Sequence, residues 1–355
     1  MSPQLLPILT AVSTAALITA VATTWILKLA HRRQLFDTTD TRKIHTGSVP
    51  RLGGTVFMPA ILCASAIVAL FFRFRGFSPA LFIGLCAILP LYAIGLIDDI
   101  KGIGYKPKFA AQLLSASILV SSGFASFSSI PTVISIPLII IAVIFITNAI
   151  NLIDGISGLA SGLAAITFII YGLAFTAVGQ PLYAVISFAA LGSMVAFFTF
   201  NTAPSHSRRK IFMGDTGSLT IGLLISALAL KLLDTQSSSP TSIITILSPI
   251  AIPCFDVVRV FLFRISQHTN PFHPDRNHIH HLLMRAGLSE RSALIYLLGS
   301  TIAICIANSA ILAAHIDIYI ILLADISVLI LANYAVCRKV TQIESRTRDN
   351  SEHGL

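Results

Sequence analysis

A chain of 355 residues with 55% hydrophobic side chains, only 11% charged ones and a mean hydropathy of +0.85 cannot be an ordinary soluble domain, which carries about 25% charged residues. Its net charge of +9 does not call for nucleic acid as a partner, because basic loops at a cytosolic leaflet account for most of it. The composition is that of an all-α polytopic membrane protein solvated by the lipid bilayer.

Apolar runs near the bilayer-crossing length of about 17 to 25 residues predict about eleven transmembrane helices. They fall at 4–30, 53–72, 79–97, 108–124, 131–150, 155–176, 181–200, 217–233, 241–265, 291–313 and 316–336. No basic residue precedes the first run and no small-residue cleavage site comes before Lys28, so it reads as a retained helix, not a removed signal peptide. Most of the 24 Lys and Arg residues fall in loops after odd-numbered helices or in the tail, and only Arg73 and Arg75 in the opposite loops. The N-terminus is therefore expected outside and the C-terminus in the cytoplasm.

Residues 1–336 read as one membrane domain whose cytoplasmic loops are 31–52, 98–108, 150–155, 201–216 and 265–290. Residues 337–355 read as a mobile polar tail. Cys63, Cys86, Cys254, Cys305 and Cys337 form no CxxC pair and read as small packing residues. There is no inverted repeat of the kind found in many transporters. Outer loops such as "AVGQ" and "AHID" are plain, whereas the inner loops hold nearly every reactive side chain. That asymmetry suits an enzyme at the cytosolic face better than a transporter or flippase, which needs polar groups through the membrane's depth.

The first inner loop, "FDTTDTRKIHTGSVPRLGG", sets Arg42, Lys43, His45 and Arg51 beside a Pro and a Gly pair. Arg forks and Lys point charges are usual partners of phosphate oxygens. The third run ends in the adjacent carboxylates Asp98 and Asp99. Neighbours on a helix point about 100° apart, so the two are expected to have separate tasks. The bland alternative pairs them with Lys101 or Lys106 at a solvated helix end.

In "TNAINLIDGISGL", Asn148 and Asn151 lie about one turn apart and Asp154 is placed to cap the following helix. In "IFMGDTGS", Asp215 between Gly214 and Gly217 puts a carboxylate at a helix start, which suits a hard divalent cation carrying phosphates and equally suits a plain N-cap.

The stretch "PDRNHIHHLL" holds Arg276, His278, His280 and His281. These three histidines cannot converge on zinc from a regular helix, and no cysteine lies close. Hydrogen bonds to phosphate or sugar oxygens remain, as does a merely solvated basic loop. Asp256 and Arg259 are three apart within one run and read as bonded to each other.

Several inner segments supply aspartates and several supply cations. Carboxylates gathered where a phosphate binds would repel it unless Mg²⁺ or Mn²⁺ stands between them, which is the arrangement of phosphoryl transfer. At a membrane interface, one phosphate then belongs to a lipid.

Five ordered motifs, "RKIHTGSVPRLGG", "DDIKGIGYKPKFAAQ", "NAINLIDGISGL", "FMGDTGS" and "PFHPDRNHIHH", run from about residue 37 to 288. In them the chain resembles the polyprenyl-phosphate N-acetylhexosamine-1-phosphate transferases. That resemblance implies transfer of N-acetylhexosamine-1-phosphate, with GlcNAc the expected sugar, from a UDP-N-acetylhexosamine to undecaprenyl phosphate with release of UMP. It also implies a bacterial inner-membrane location, Mg²⁺ as cofactor, initiation of a surface polysaccharide, and a homodimer as one assembly.

By motif position, Asp215, with Asn151 beside it, looks like the metal site. Asp98 resembles the carboxylate that binds or deprotonates the lipid phosphate, with Asp99 as its partner. Lys108, His278, His280 and His281 match phosphate- and sugar-side contacts. Asn151, Asp154 and Phe212 match the nucleotide pocket. "DRNHIHH" and "PRLGG" look like the WecA/TagO branch, not the MraY branch that takes a peptide-bearing sugar. Ser157 stands where relatives usually carry a second Asp, a departure that bears on the nucleotide contact and on sugar choice.

Overall fold

A computed structural model of the chain describes residues 5–35, 49–74, 78–124, 131–235, 239–270 and 277–352. Every regular element among them is helical. Helix α1 spans Leu5–Arg33; a 3₁₀ turn, Leu52–Val56, leads into α2, Phe57–Phe71; then come α3 (Pro79–Cys86), α4 (Ile88–Lys101), α5 (Tyr105–Ser121), α6 (Thr132–Ile153), α7 (Leu159–Ala177), α8 (Pro181–Asn201) and α9 (Gly214–Thr235). They are followed by α10 (Pro240–Ser266), α11 (Ile279–Arg285), α12 (Glu290–Ala313) and α13 (Ile318–Glu352).

Ten stretches among the described residues are long and apolar enough to cross a membrane, so the protein is a multi-pass membrane protein. The run expected at 108–124 is α5, whose 17 residues lie at the lower limit of a bilayer span. The run expected at 79–97 is broken into α3 and α4 at Ala87. Pro90, in the first turn of α4, cannot donate to the carbonyl of Cys86 and its ring crowds that group, which ends the first segment.

The chain divides into two compact units, Met1–Ile246 and Leu247–Leu355. In the first, α9 is the central helix, packed against α2, α4, α6 and α7 and buried along most of its length. Its neighbours approach closely because glycines line the contacts: a Cβ on Gly95 of α4 would strike the backbone of Thr216, and one on Gly54 would strike that of Gly217. Helix α1 turns Ala11, Ala15, Thr19 and Thr23 inward at one-turn intervals. Thr19 Oγ1 donates to Ser193 Oγ of α8 at 2.8 Å. Its opposite face leaves Leu17, Val21 and Trp25 exposed, as a lipid-facing stripe requires.

In the second unit, α13 does not stop where the apolar run ends but continues as helix to Glu352. Polar composition suggested a mobile tail, yet extending an existing helix avoids the unfavourable nucleation step. The Arg285 guanidinium also holds Glu344 of this extension, with Nη2 to Oε1 at 2.6 Å.

Candidate active site

The site of the first unit is assembled at the ends of α4, α5, α6 and α9. Helix α4 finishes with Gly102 in the left-handed region at φ 64°, and the turn is closed by Gly102 N donating to the Asp98 carbonyl and Ile103 N donating to Asp98 Oδ1, each at 2.8 Å. The other oxygen, Asp98 Oδ2, lies 2.8 Å from Lys108 Nζ. The same ammonium pairs with Asp215 Oδ2. Lys108 thus joins the two carboxylates that the resemblance assigned to lipid phosphate and metal.

Asp99 has a different task. Its Oδ1 accepts from Asp215 N at 2.7 Å, and its Oδ2 accepts from Thr216 N at 3.0 Å and Thr216 Oγ1 at 2.6 Å. Since α9 brings no capping side chain of its own to these amides, Asp99 caps it from another helix. Gly214 makes this possible: its φ is +72°, and a Cβ there would collide with the Arg51 carbonyl and the Asp99 carboxylate. The segment before it is clamped to the Pro-Arg-Leu-Gly-Gly stretch, with Phe212 N donating to Pro50 O (2.8 Å), Gly53 N to Phe212 O (3.0 Å) and Gly54 N to Met213 O (2.7 Å).

Helix α6 ends at the same place. Asn151 Nδ2 donates to Ser218 Oγ at 2.8 Å, which ties it to the first turn of α9. Asn148 faces elsewhere: its amide forms a reciprocal pair with Gln112 of α5 (3.0 and 2.9 Å) and also donates to Ile144 O. It therefore joins two helices. Asp154 does not cap α7, contrary to the capping expectation. That role falls to Gly158, at φ 87°, whose N–H goes to Asn201 Oδ1 at 2.5 Å. Burial and the Asp215 and Asp99 carboxylates push Asp154 up to about 7, with the Arg51 guanidinium opposing. Arg51, Asp99, Asp154 and Asp215 therefore lie within electrostatic reach of one another.

Lys210, one of the cations of the 201–216 loop, is 5% exposed. It donates to Ser157 Oγ at 2.7 Å and Asn201 O at 2.5 Å, and its ammonium stands 5.6 Å from the centre of the Phe212 ring. A lysine between "TAPSHS" and an apolar run carries no signal that it folds inward. Arg42, Lys43, His45 and Arg276 lie outside the described residues.

Oxygens of Asp98, Asp99 and Asp215 come within 4.8 Å of one another. With Asp154 nearby, four carboxylates face the two cations Lys108 and Arg51. That excess of oxygen donors and negative charge fits a hard divalent cation and not a soft one.

The histidines belong to the second unit. His278 Nδ1 lies 2.8 Å from Asp256 Oδ2. The His280 ring is 1% exposed, and neither of its nitrogens has a hydrogen-bond partner among the described residues. Burial, reinforced by His281 and His278, pushes His280 down to about 3, so its ring is neutral at physiological pH. The rings of His280 and His281 are 4.2 Å apart between centroids.

The chain carrying this site is similar to known proteins over most of its length. The model of glycosyl transferase family 4 matches residues 81–233. The chain is 32% identical over 323 residues to a probable undecaprenyl-phosphate N-acetylglucosaminyl 1-phosphate transferase of Bacillus subtilis, covering 87% of each. The chain belongs to this family. A decaprenyl-phosphate N-acetylglucosaminephosphotransferase of Mycolicibacterium smegmatis is 34% identical over 83% of the chain and 80% of its own length. An undecaprenyl-phosphate alpha-N-acetylglucosaminyl 1-phosphate transferase of Escherichia coli O157:H7 is 29% identical over 91% of both. For glycosyl transferase family 4, the matched segment runs from α3 to α9 and includes Asp98, Asp99, Lys108 and Asp215.

Proposed function

We propose that the protein transfers GlcNAc-1-phosphate from UDP-GlcNAc to undecaprenyl phosphate at the cytoplasmic face of the bacterial inner membrane, with Mg²⁺ as cofactor. The observation that carries this reading is the Lys108 bridge between Asp98 and Asp215 at a helix start held by Asp99. It concentrates charge of both signs where two phosphorylated reactants have to meet.

An oxygen of the lipid phosphate attacks the sugar-bearing phosphorus of the nucleotide sugar. The bond from that phosphorus to the bridging oxygen breaks, and UMP departs with the bond's electron pair. One pyrophosphate linkage replaces another, so the reaction needs no other energy source. The protein's task is positioning and charge stabilisation. Lys108 neutralises the incoming phosphate, and Asp98 orients it or takes its proton when it arrives as the monoanion. Arg51, whose charge reaches Asp154, adds a second cation to the same site. Lys210 and Phe212 suit the nucleotide: one supplies a charge, the other a ring face. By motif position His278 and His281 match contacts to phosphate and sugar oxygens, while the buried His280 ring packs against His281. Asp215, with Asn151 and Asp98 as neighbours, would hold Mg²⁺, which when bound neutralises phosphoryl oxygens and makes the phosphorus more electrophilic.

The test is purified protein in proteoliposomes with undecaprenyl phosphate, Mg²⁺ and a panel of UDP-sugars, following UMP and the lipid product together. UDP-GlcNAc is expected to give both in equal amounts. Release of UMP only from UDP-MurNAc-pentapeptide, or from no UDP-sugar at all, overturns the proposal.

A further inference from the structure

In α10 Asp256 is buried and Arg259, three residues on, is partly buried, and the transfer chemistry above leaves them without a task. We propose that Asp256 is the positioning residue of the histidine motif, fixing His278 in the tautomer that carries its proton on Nδ1 and leaves Nε2 as the ring atom offered to substrate. This deepens the proposed transfer reaction and rests on it.

The geometry goes beyond a helix ion pair. Asp256 is 1% exposed, and a carboxylate so buried needs several donors. Arg259 gives both its Nε (3.2 Å) and Nη2 (2.7 Å) to one oxygen, Oδ1. Ile279 N donates to that same oxygen at 2.9 Å. Arg259 Nη2 also donates to the carbonyl of Asn277. The other carboxylate oxygen, Oδ2, is given to the His278 ring at 2.8 Å. A pair that served only to neutralise charge would be complete with Oδ1.

Three consecutive residues are thereby held through three different groups: the Asn277 carbonyl, the His278 ring and the Ile279 amide. His278 is the residue before α11, at φ −62° and ψ 151°, where a side chain often caps its own helix; here it makes no such bond. Asp256 caps α11 in its place, which turns the His278 ring toward α10. The anchoring matters because α11 has only 7 residues, far below the length at which a helix holds itself together in isolation. Its far end packs against α12 and α13, where the exposed Arg285–Glu344 pair also reaches across. The histidines therefore sit on a short helix fastened at both ends, as a site requiring fixed ring directions demands.

The chemical consequence follows from which nitrogen the carboxylate takes. An ionised carboxylate accepts and cannot donate, so Nδ1 carries hydrogen. Nε2 is then a lone pair in the neutral ring or, in the imidazolium, an N–H donor to an anionic oxygen.

The experiment is ¹⁵N NMR of protein labelled at histidine, in liposomes near pH 7.5, with His278→Gln identifying the His278 resonances. Protonated and bare ring nitrogens resonate far apart, so the tautomer is read without turnover. His278 is expected to be protonated at Nδ1, and in Asp256→Asn the proton is expected on Nε2, since the new amide donates to Nδ1. The kcat for UMP release is expected to fall about 10- to 100-fold in Asp256→Asn, and this loss is expected to vanish when His278 is already Gln. A bare Nδ1 on His278 in the unmodified protein overturns the proposal, as does an equal loss from Asp256→Asn in both backgrounds. Where Asp256→Asn does not fold, the unmodified protein's tautomer alone decides. Absence of UMP release from the unmodified protein counts against the transfer reaction and leaves the tautomer result standing.

Discussion

Lys108 on α5 and Asp215 on α9, 107 positions apart in the sequence, meet as an ion pair, and the same ammonium lies 2.8 Å from Asp98. Unit charges about 4 Å apart interact by about 4 kcal/mol at an effective dielectric near 20, so the lysine is what lets two carboxylates stand together. Lys108→Met is expected to lower the thermal midpoint of the metal-free protein and to reduce UMP release by at least about 100-fold. Because the lysine competes with a cation for Asp215, the variant should gain more thermal stability from added Mg²⁺ than the unmodified protein does. An unchanged Mg²⁺ response argues against a shared cation and lysine site.

Asp99 holds α9 by three donors. Losing a cap costs about 0.5 to 2 kcal/mol, and each buried donor left unpaired adds about 1 to 3 kcal/mol. Asp99→Ala is therefore expected to destabilise the fold by a few kcal/mol and to displace Asp215. Asp99→Asn keeps one acceptor and should fall between. Thermal unfolding of the three proteins in one detergent checks the order. Equal midpoints would remove the trans-capping role.

Asp154 titrates at about 7 in the folded chain, against an ordinary 3.8. Between these values the folded protein keeps a proton that the unfolded chain has lost, so this group's contribution to stability falls as pH rises and is fully lost above about 7. His280, pushed to about 3 from 6.5, acts in the other direction: its contribution grows as pH rises towards 6.5. The clean readout is the difference in thermal midpoint between the unmodified protein and Asp154→Asn in EDTA. It should shift against the unmodified protein from pH 5 to pH 8; a constant difference contradicts the raised carboxyl.

Ser157 accepts from Lys210, which also stands over Phe212. Lys210→Met is expected to raise KM for the UDP-sugar about tenfold or more while leaving KM for the lipid phosphate within about threefold. Ser157→Asp puts a carboxylate against the ammonium and should preserve activity. Initial-rate kinetics with each substrate varied in turn separate the two effects, and a rise in both KM values for Lys210→Met would point to general distortion.

The helices and the loops that carry Asp98, Lys108, Asp215 and the histidines were legible because apolar run length and motif order are local signals. What each polar group does was not. Asp98 and Asp99 are neighbours in sequence, yet one faces Lys108 and the other caps α9, a division that depends on where α9 is packed. Asn148 and Asn151 share a helix face at one-turn spacing, but Gln112 occupies one and Ser218 the other. Lys210 reads as one of several loop cations until the chain folds it against Ser157. The continuation of α13 was hidden for another reason: composition reports the average preference of a segment, whereas helix extension depends on the turn already formed before it.

The sharpest comparison is UMP release at saturating Mg²⁺ by the unmodified protein and by Asp215→Asn, both shown folded by circular dichroism. The Asn variant keeps the shape of the side chain and removes its charge from Lys108 and from any cation. Turnover is expected to drop by about 1,000-fold or more, with undecaprenyl phosphate and UDP-GlcNAc both present. A folded Asp215→Asn protein that releases UMP at the unmodified rate would contradict a reaction centred on Asp98, Lys108 and Asp215.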